Sequence, residues 1–463
     1  MLKHKNNTLT PSQFGIPVEK IYHMNKLYYS GAAKIYGVSW GKVDNPILTR
    51  TDDAIGMVAN AGIDSTVVVN DFDNAEIYKD IIEVTDTYGN VFIRIPKFYV
   101  KKTDAPWSRR ISKKPLPESY LPWCFWNFTT STELPYIDIG KYKASLDASN
   151  RLESKVNKYP LINKNIVEFR TFARNNNTGG LLGYQQLDIH ARDVIEILFM
   201  IEFATLNSQS IMQGFSTGQI NAAHTAVIAE SAVNRIVLTN ANAAGYVVGQ
   251  TISVHTATWN TSIFYGRQIT AINTYDASNK SIVFDGAPVN IAIGNILTNT
   301  GQKNGSTDAV VAKSGSPVSN SDGKRPCKYR GIESPWGDTW QWMDGININE
   351  FQSWVCKDAN SYASNLFANP YEQLGYVNKN ANGYVKTRGF DSSKPYAEIA
   401  TDVTAGSTTF YSDYYYQSTG QRVARVGGYW DDGAIAGLFC WFLNVSSGDA
   451  SISLSGRLLK KPL

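Results

Sequence analysis

The chain has 463 residues, a net charge of +4, and only 18% charged residues against 43% hydrophobic ones. That length accommodates roughly two to four domains and a sizeable core. The basic runs are too short for a nucleic-acid arm (Lys101 and Lys102, then residues 112–114), so no nucleic-acid partner is expected. Cys124, Cys327, Cys356 and Cys440 are scattered without a CxxC pair, which argues against a zinc module and a disulfide framework. Abundant aromatics (12%, with 26 Tyr and 11 Trp) and 36 Gly fit a β-rich, loop-rich surface protein better than a helical enzyme. Met1 is followed by LKHKNNTLT, which has no apolar core, so no signal peptide is expected and synthesis is placed in a cytoplasm. The most apolar run, residues 194–206, is too short to span a membrane and holds Glu196 and Glu202, so no membrane insertion is expected.

Residues 1–35 carry the alternating run VEKIYHMNKLYYS, a hairpin around Asn25. One hairpin cannot stand alone, so this segment is expected to attach to other proteins or to organise an oligomer. Residues 36–215 begin with a β module, in which IIEVTD and NVFIRIPKFYV flank a Thr87-Tyr88-Gly89 turn and Pro96 ends the pairing. Residues 104–135, rich in proline and aromatics, read as a long ordered loop. Residues 188–206 predict the main helix: Asp188 caps it, and Ile189, Val194, Ile195, Leu198, Phe199, Ile201 and Phe203 form a wide apolar face. Its charged residues Arg192, Asp193, Glu196 and Glu202 are most simply solvent-facing or capping groups. At residue 216 charges become sparse, and short Thr/Val/Ile-rich strands punctuated by Gly249, residues 276–279 and Gly286 predict an inserted all-β domain to residue 316. Residues 314–324 read as its exit linker, and residues 317–463 form the last unit.

The densest stretch is YRGIESPWGDTWQWMDG, residues 329–345. Trp336, Trp340 and Trp342 fall within it, with Gly337 permitting a sharp turn and Pro335 blocking a helix. Three rings so close are expected to pin one another as a core hub rather than to present a ligand surface.

The hub GIESPWGDTWQW resembles the glycine–tryptophan core of C-type-lectin-like folds in the formylglycine-generating-enzyme branch, and RVGGYW…GAIAGLF…SGRLL resembles the end of that branch. Together with YGVSW…TRTDDA…NVFIRIPKFY, the chain is similar to phage tail receptor-binding proteins, including variable proteins diversified by retroelements such as the phage major tropism determinant. The resemblance covers roughly residues 35–215 and 325–460. It implies an α+β, β-rich, C-type-lectin-like fold interrupted by the insert and preceded by a short β segment. It also implies a homotrimer at the tail tip or fibre of a virion, bound to other tail or baseplate proteins through its N-terminal segment. The partner would be a bacterial surface glycan or protein receptor. Gly427, Gly428, Trp430, Gly437, Leu438, Phe439, Gly456, Arg457 and Leu458 match the structural frame, although SGRLL is one residue short of the usual spacing. The positions between them are the display candidates: Tyr429, Asp431, Asp432, Ala434, Ile435, Cys440, Trp441, Leu443, Val445, Asp449, Ser451 and Ser453. Tyr414 and Tyr416, in FYSDYYY, are a second candidate surface.

Enzymatic readings find less support. Cys440 stands alone where the oxidase branch uses a cysteine pair. No G-x-S-x-G elbow accompanies the five histidines, and His190 reads as a packing or capping residue. No catalytic residue and no resident metal is expected. Calcium is the one cation a lectin-like inheritance leaves open, and DGININE (residues 344–350) offers oxygen ligands but reads more simply as a turn. A surface adhesin of the same fold and a glycan-cleaving tail protein are the alternative functions.

Overall fold

The computed structural model describes residues 33–462 except 42–43, 105, 179–182, 258, 260 and 376–380, together with the backbones of four short strands before residue 33. Those four strands make two antiparallel hairpins, the second pairing Lys20–His23 with Lys26–Ser30. The side chains on which the predicted attachment role would rest lie outside the described residues.

Strand outweighs helix, 38% to 11%, and among the described residues no sheet is closed. A central antiparallel sheet runs in the order Tyr184–Gln186, Leu458–Lys460, Tyr136–Gly140, Val91–Pro96 and Ile82–Thr85. Its strands come from four well-separated parts of the chain, so non-local pairing holds it. A front sheet orders Tyr99–Asp104, Trp107–Ser112, Ile35–Trp40 and Thr49–Asp52. Trp107–Ser112 therefore corrects the long-loop reading: its residues alternate against Ile35–Trp40, and Trp107 meets Trp40 edge-on with ring centroids 5.6 Å apart.

Helix α1 spans Ile166–Arg174, opened by an Asn165–Glu168 capping box. Helix α2 spans Ile189–Phe203, with the Asp188 carboxylate accepting from the Ala191 N–H at 2.8 Å and Ala204 ending it in the left-handed region. The predicted amphipathic face is corrected here. All 15 residues of α2 are buried, Arg192, Asp193, Glu196 and Glu202 included. The helix is a pillar covered on every side, and its charges are matched by partners from distant segments. Asp193 pairs with Lys102 (2.8 Å), Glu196 with Arg388 (2.6 Å), and Glu202 with Arg330 (2.7 Å). Lys102 and Arg109 also share Glu398, at 2.7 and 2.9 Å.

Residues 235–299 form a five-stranded sheet ordered Arg235–Thr239, Asn279–Phe284, Ser262–Thr274, Thr251–His255 and Ile296–Asn299. It has its own apolar core, including Ile236, Leu238, Ile252, Val254, Ile282, Phe284 and Leu297. The expected exit linker is partly strand, since Gly315–Ser316 lies parallel to Gly62–Ile63.

The last unit is an eight-stranded sheet built on Trp340–Asn349. Here the hub reading divides. All three indoles are buried as expected, but no ring contact joins them, and they serve two cores. Trp336 packs edge-on to Phe199 of α2 at 5.6 Å and donates to the Met212 carbonyl at 3.1 Å. Trp340 and Trp342, two residues apart on one strand, point together into the second core. Gly337, at φ +65°, makes the change of direction possible, and a Cβ there would lie 2.6 Å from the Phe215 carbonyl oxygen. In DGININE, Asp344 to Asn349 are strand and only Glu350 lies in a turn, while Asp344 binds Arg170 of α1 through both oxygens at 2.8 Å.

Candidate functional site

Four neighbouring strands of the eight-stranded sheet expose one aromatic face. In order they are Gln421–Val426, Trp441–Val445, Tyr414–Gln417 and Gly383–Tyr384. Register places Arg425 opposite Phe442, Phe442 opposite Tyr416, and Tyr414 opposite Tyr384. Cross-strand neighbours on one face touch, and these do. Phe442 lies 5.4 Å from Tyr416 and 6.2 Å from Tyr414, ring centroid to centroid, and Tyr414 lies 5.2 Å from Tyr384. The Arg425 guanidinium is held over Trp340 at 4.6 Å and over Phe442 at 5.4 Å. The result is a stripe from Arg425 through Phe442 to the tyrosines, with Tyr416 at its open end and the other members half-buried. Buried Trp340 supports it from below. Burial pulls the Arg425 pKa down, against the attraction of Asp432 and Asp449.

The display candidates separate into three groups. Asp431, Ala434, Asp449 and Tyr416 are exposed. Tyr429, Asp432, Ile435, Val445, Ser451 and Tyr414 are half-buried. Cys440, Trp441, Leu443 and Ser453 are buried, which corrects their assignment to a display surface. The reason for Trp441 and Leu443 is strand phase. Successive side chains alternate faces, and a one-residue error inverts the whole strand. Trp441 and Leu443 point into the main core, leaving Phe442 and Asn444 on the outer face. Asn444 was the available signal: one polar residue in WFLNV marks the wet phase. Arg425 and Tyr384 had no comparable signal, because only pairing brings them to the stripe.

The loop between Gly427 and Gly437 borders the stripe. Trp430 anchors it, packed with Phe215 and Ile452 in a small core of its own. Gly437 is required by contact, because a Cβ there would collide with the buried Asp413 carboxylate, which accepts from the Phe439 N–H at 2.7 Å. Asp432 accepts from the Tyr429 N–H at 2.8 Å, and burial pushes its carboxyl up to about 7. Asp449 caps its own loop, accepting from the Ser446 N–H at 2.6 Å.

Arg457 is held by partners from three distant segments. Fully buried, it donates to Gln341 Oε1 (2.9 Å) and to the carbonyls of Gly140 (2.7 Å), Lys141 (2.9 Å), Glu333 (2.5 Å) and Ser334 (3.1 Å). One guanidinium thus ties the terminal strand to the central sheet and to the hub.

All four cysteines are free and buried, and burial raises the Cys440 thiol well above its ordinary range, suppressing the thiolate. His190 is buried and engages the Cys356 carbonyl at 2.8 Å. Among the described residues no group of three or more His, Cys, Asp or Glu is arranged to hold a metal ion. No helix among them is long and apolar enough to cross a membrane. Compared with known proteins, the chain matches no family model and no curated protein.

Proposed function

We propose that this chain is a receptor-binding protein of a phage tail, with a C-type-lectin-like scaffold that adsorbs to a bacterial surface receptor through its C-terminal sheet and the adjoining 427–437 loop. The observation that carries this reading is the Arg425–Phe442–Tyr416 stripe with Tyr414 and Tyr384. Rigid rings give contact area at low entropic cost, and the guanidinium and phenol groups give direction. The sequence likeness in the hub and tail supports it, as does the frame chemistry of Gly437 and Arg457. In this reading the N-terminal hairpins join the chain to tail or baseplate proteins in the virion, and a homotrimer multiplies weak single-site contacts through avidity. Contact is by stacking, hydrogen bonding and shape, without covalent chemistry.

The test replaces Tyr416 and Phe442 together with serine and, separately, Arg425 with glutamine. Labelled protein is then scored for binding to a panel of bacterial cells, with near-ultraviolet circular dichroism reporting the fold. The expected outcome is an intact fold with adsorption reduced about tenfold or more, equivalent to ~1.4 kcal/mol per site. Undiminished adsorption by both folded variants would sink the assignment.

A further inference from the structure

A cleft with a largely apolar lining shares no residue with the stripe. It is about 160 Å³ and is lined by Trp126, Phe128, Gln185, Asp358, Asn360 and Lys461, among others. Its walls come from the Trp126–Asn127 strand and the following loop, from the Tyr184–Gln186 strand, from the turn Ala359–Ser361, and from the segment after Leu458–Lys460.

Two features show that it is built to hold something. The Lys461 stem is packed away, the residue being only 7% exposed, while among the described residues no carboxylate lies within ion-pair distance of its ammonium, which stays accessible from the cleft. Elsewhere the protein's buried cations are occupied, Lys102 by Asp193 and Glu398 and Lys143 by the Thr339 carbonyl. The Lys461 ammonium, free of any such partner and facing the cleft, is available to an anionic group of a ligand. Second, Gln185 is 3% exposed, and its Oε1 has no hydrogen-bond partner. Its amide orientation is fixed, because Nε2 donates to Asp188 Oδ2 at 2.6 Å and the reverse would set two oxygens together. An orphaned acceptor and an unpaired cation therefore line the same cleft.

The wall is aromatic. Trp126 and Phe128 are half-buried, and both lean on Trp123, at 6.3 and 5.4 Å. At the rim, Asp358 spends Oδ1 on the Asn360 backbone and side-chain amides, at 3.0 and 2.9 Å. An apolar ring face beside convergent polar groups is how a small amphipathic ligand is held and oriented.

We infer that this cleft binds a sugar residue bearing a carboxylate, a uronate either free or at the end of a polysaccharide. The carboxylate meets Lys461, a hydroxyl donates to Gln185 Oε1, and the C–H face of the ring lies on Trp126. Charge decides against a neutral sugar, which would leave the ammonium unmatched.

The experiment titrates the full chain with glucuronate, with glucose, and with a short polyuronate, following tryptophan fluorescence. Glucuronate is expected to saturate with a dissociation constant on the order of 1 mM, and glucose to bind at least about tenfold more weakly. Lys461→Met is expected to lose about tenfold for glucuronate, and Lys461→Arg to retain it. Polyuronate binding more tightly than glucuronate assigns the site to a polymer end, and equal affinity assigns it to the free sugar. Should Lys461→Met fail to fold, Trp126→Leu at the accessible wall replaces it, with the same expected loss. Glucose binding as tightly as glucuronate, absence of saturable glucuronate binding, or affinity untouched in a folded Lys461→Met or Trp126→Leu would each overturn the inference.

Discussion

Arg109, Arg192, Arg330, Arg388 and Arg457 are all buried in the scaffold, each hydrogen-bonded to partners far away in sequence. In the inserted sheet, by contrast, no Lys, Arg, Asp or Glu is buried among the described residues 226–299; its interior is aliphatic and aromatic, with His, Ser, Thr, Asn and Gln as the polar members. The difference follows from how each is assembled. The scaffold joins segments that are hundreds of residues apart, and a buried ion pair penalises every wrong pairing. The insert joins strands that are near neighbours in sequence, where short turns already set the register. Ionic specification is used where topology is least forgiving.

The sharpest way to break this contrast is Arg457→Met. It leaves carbonyls of four residues without their donor, and we expect a loss on the order of 4 kcal/mol in the scaffold, measured by urea unfolding. Calorimetry should show the insert's own transition unmoved, and a shift of both transitions together would erase the distinction. Trp340→Ala should cost the scaffold about 3–5 kcal/mol and carry away the support of the stripe. The reciprocal change, Phe284→Ala, removes a ring packed at 4.8 Å against Phe264 in the insert. It should cost about 3–4 kcal/mol there while cell adsorption is preserved, as read by binding of the folded fraction.

Acidity should move the two regions in opposite directions. Burial pushes Asp193 and Asp338 up to about 6. The folded scaffold therefore holds protons that the unfolded chain, titrating near ~4, has released, and its stability falls as pH rises from about 4 to about 6. Glu398 is held well below the carboxylate range by Arg109 and Lys102 despite its burial, so its contribution is intact throughout that window. In the insert, burial pushes His255 down to about 4 and His224 down as well. There the unfolded chain binds the extra protons, and stability rises with pH from about 4 to about 6.5. His190 adds one opposing term to the scaffold. Calorimetry at about pH 4.5 and about pH 6.5 should see the insert's melting rise and the scaffold's fall. The smallest effect belongs to Asp432→Asn beside the stripe. It should stabilise the protein by on the order of 1 kcal/mol at about pH 8 and by nothing measurable at about pH 4, after allowance for partial solvent screening. Equal melting shifts at both pH values would remove Asp432 as the cause.

Legibility followed the same division. The strands of residues 235–299 were readable because they are rich in Thr, Val and Ile, their turns carry glycine and their charges vanish, all of them local signals. The Thr87-Tyr88-Gly89 hairpin and the α2 cap at Asp188 were readable for that reason too. The fate of Arg192, Asp193, Glu196 and Glu202 was not, since a charge on a helix looks solvated until Arg330, Arg388 and Lys102 arrive from elsewhere. The display reading failed by one residue of phase: Trp441 and Leu443 were chosen where Phe442 faces out, because which face was wet depended on pairing with Tyr415 and Val426. The hub's indoles were correctly placed inside, yet their division between two cores rests on the turn at Gly337.

The position of Leu458–Lys460 has a consequence for biosynthesis. This strand lies between Tyr136–Gly140 and Tyr184–Gln186 in the middle of the central sheet, and 317 residues separate Arg457 from the Gly140 carbonyl it binds. At ribosomal rates of roughly 5–20 residues per second, the early strands wait on the order of 15–60 s with an unpaired edge. During that wait the inserted sheet can form from its own segment, and it separates the waiting halves. A ribosome that stops before residue 457 therefore releases an open sheet edge that the next nascent copy can pair with.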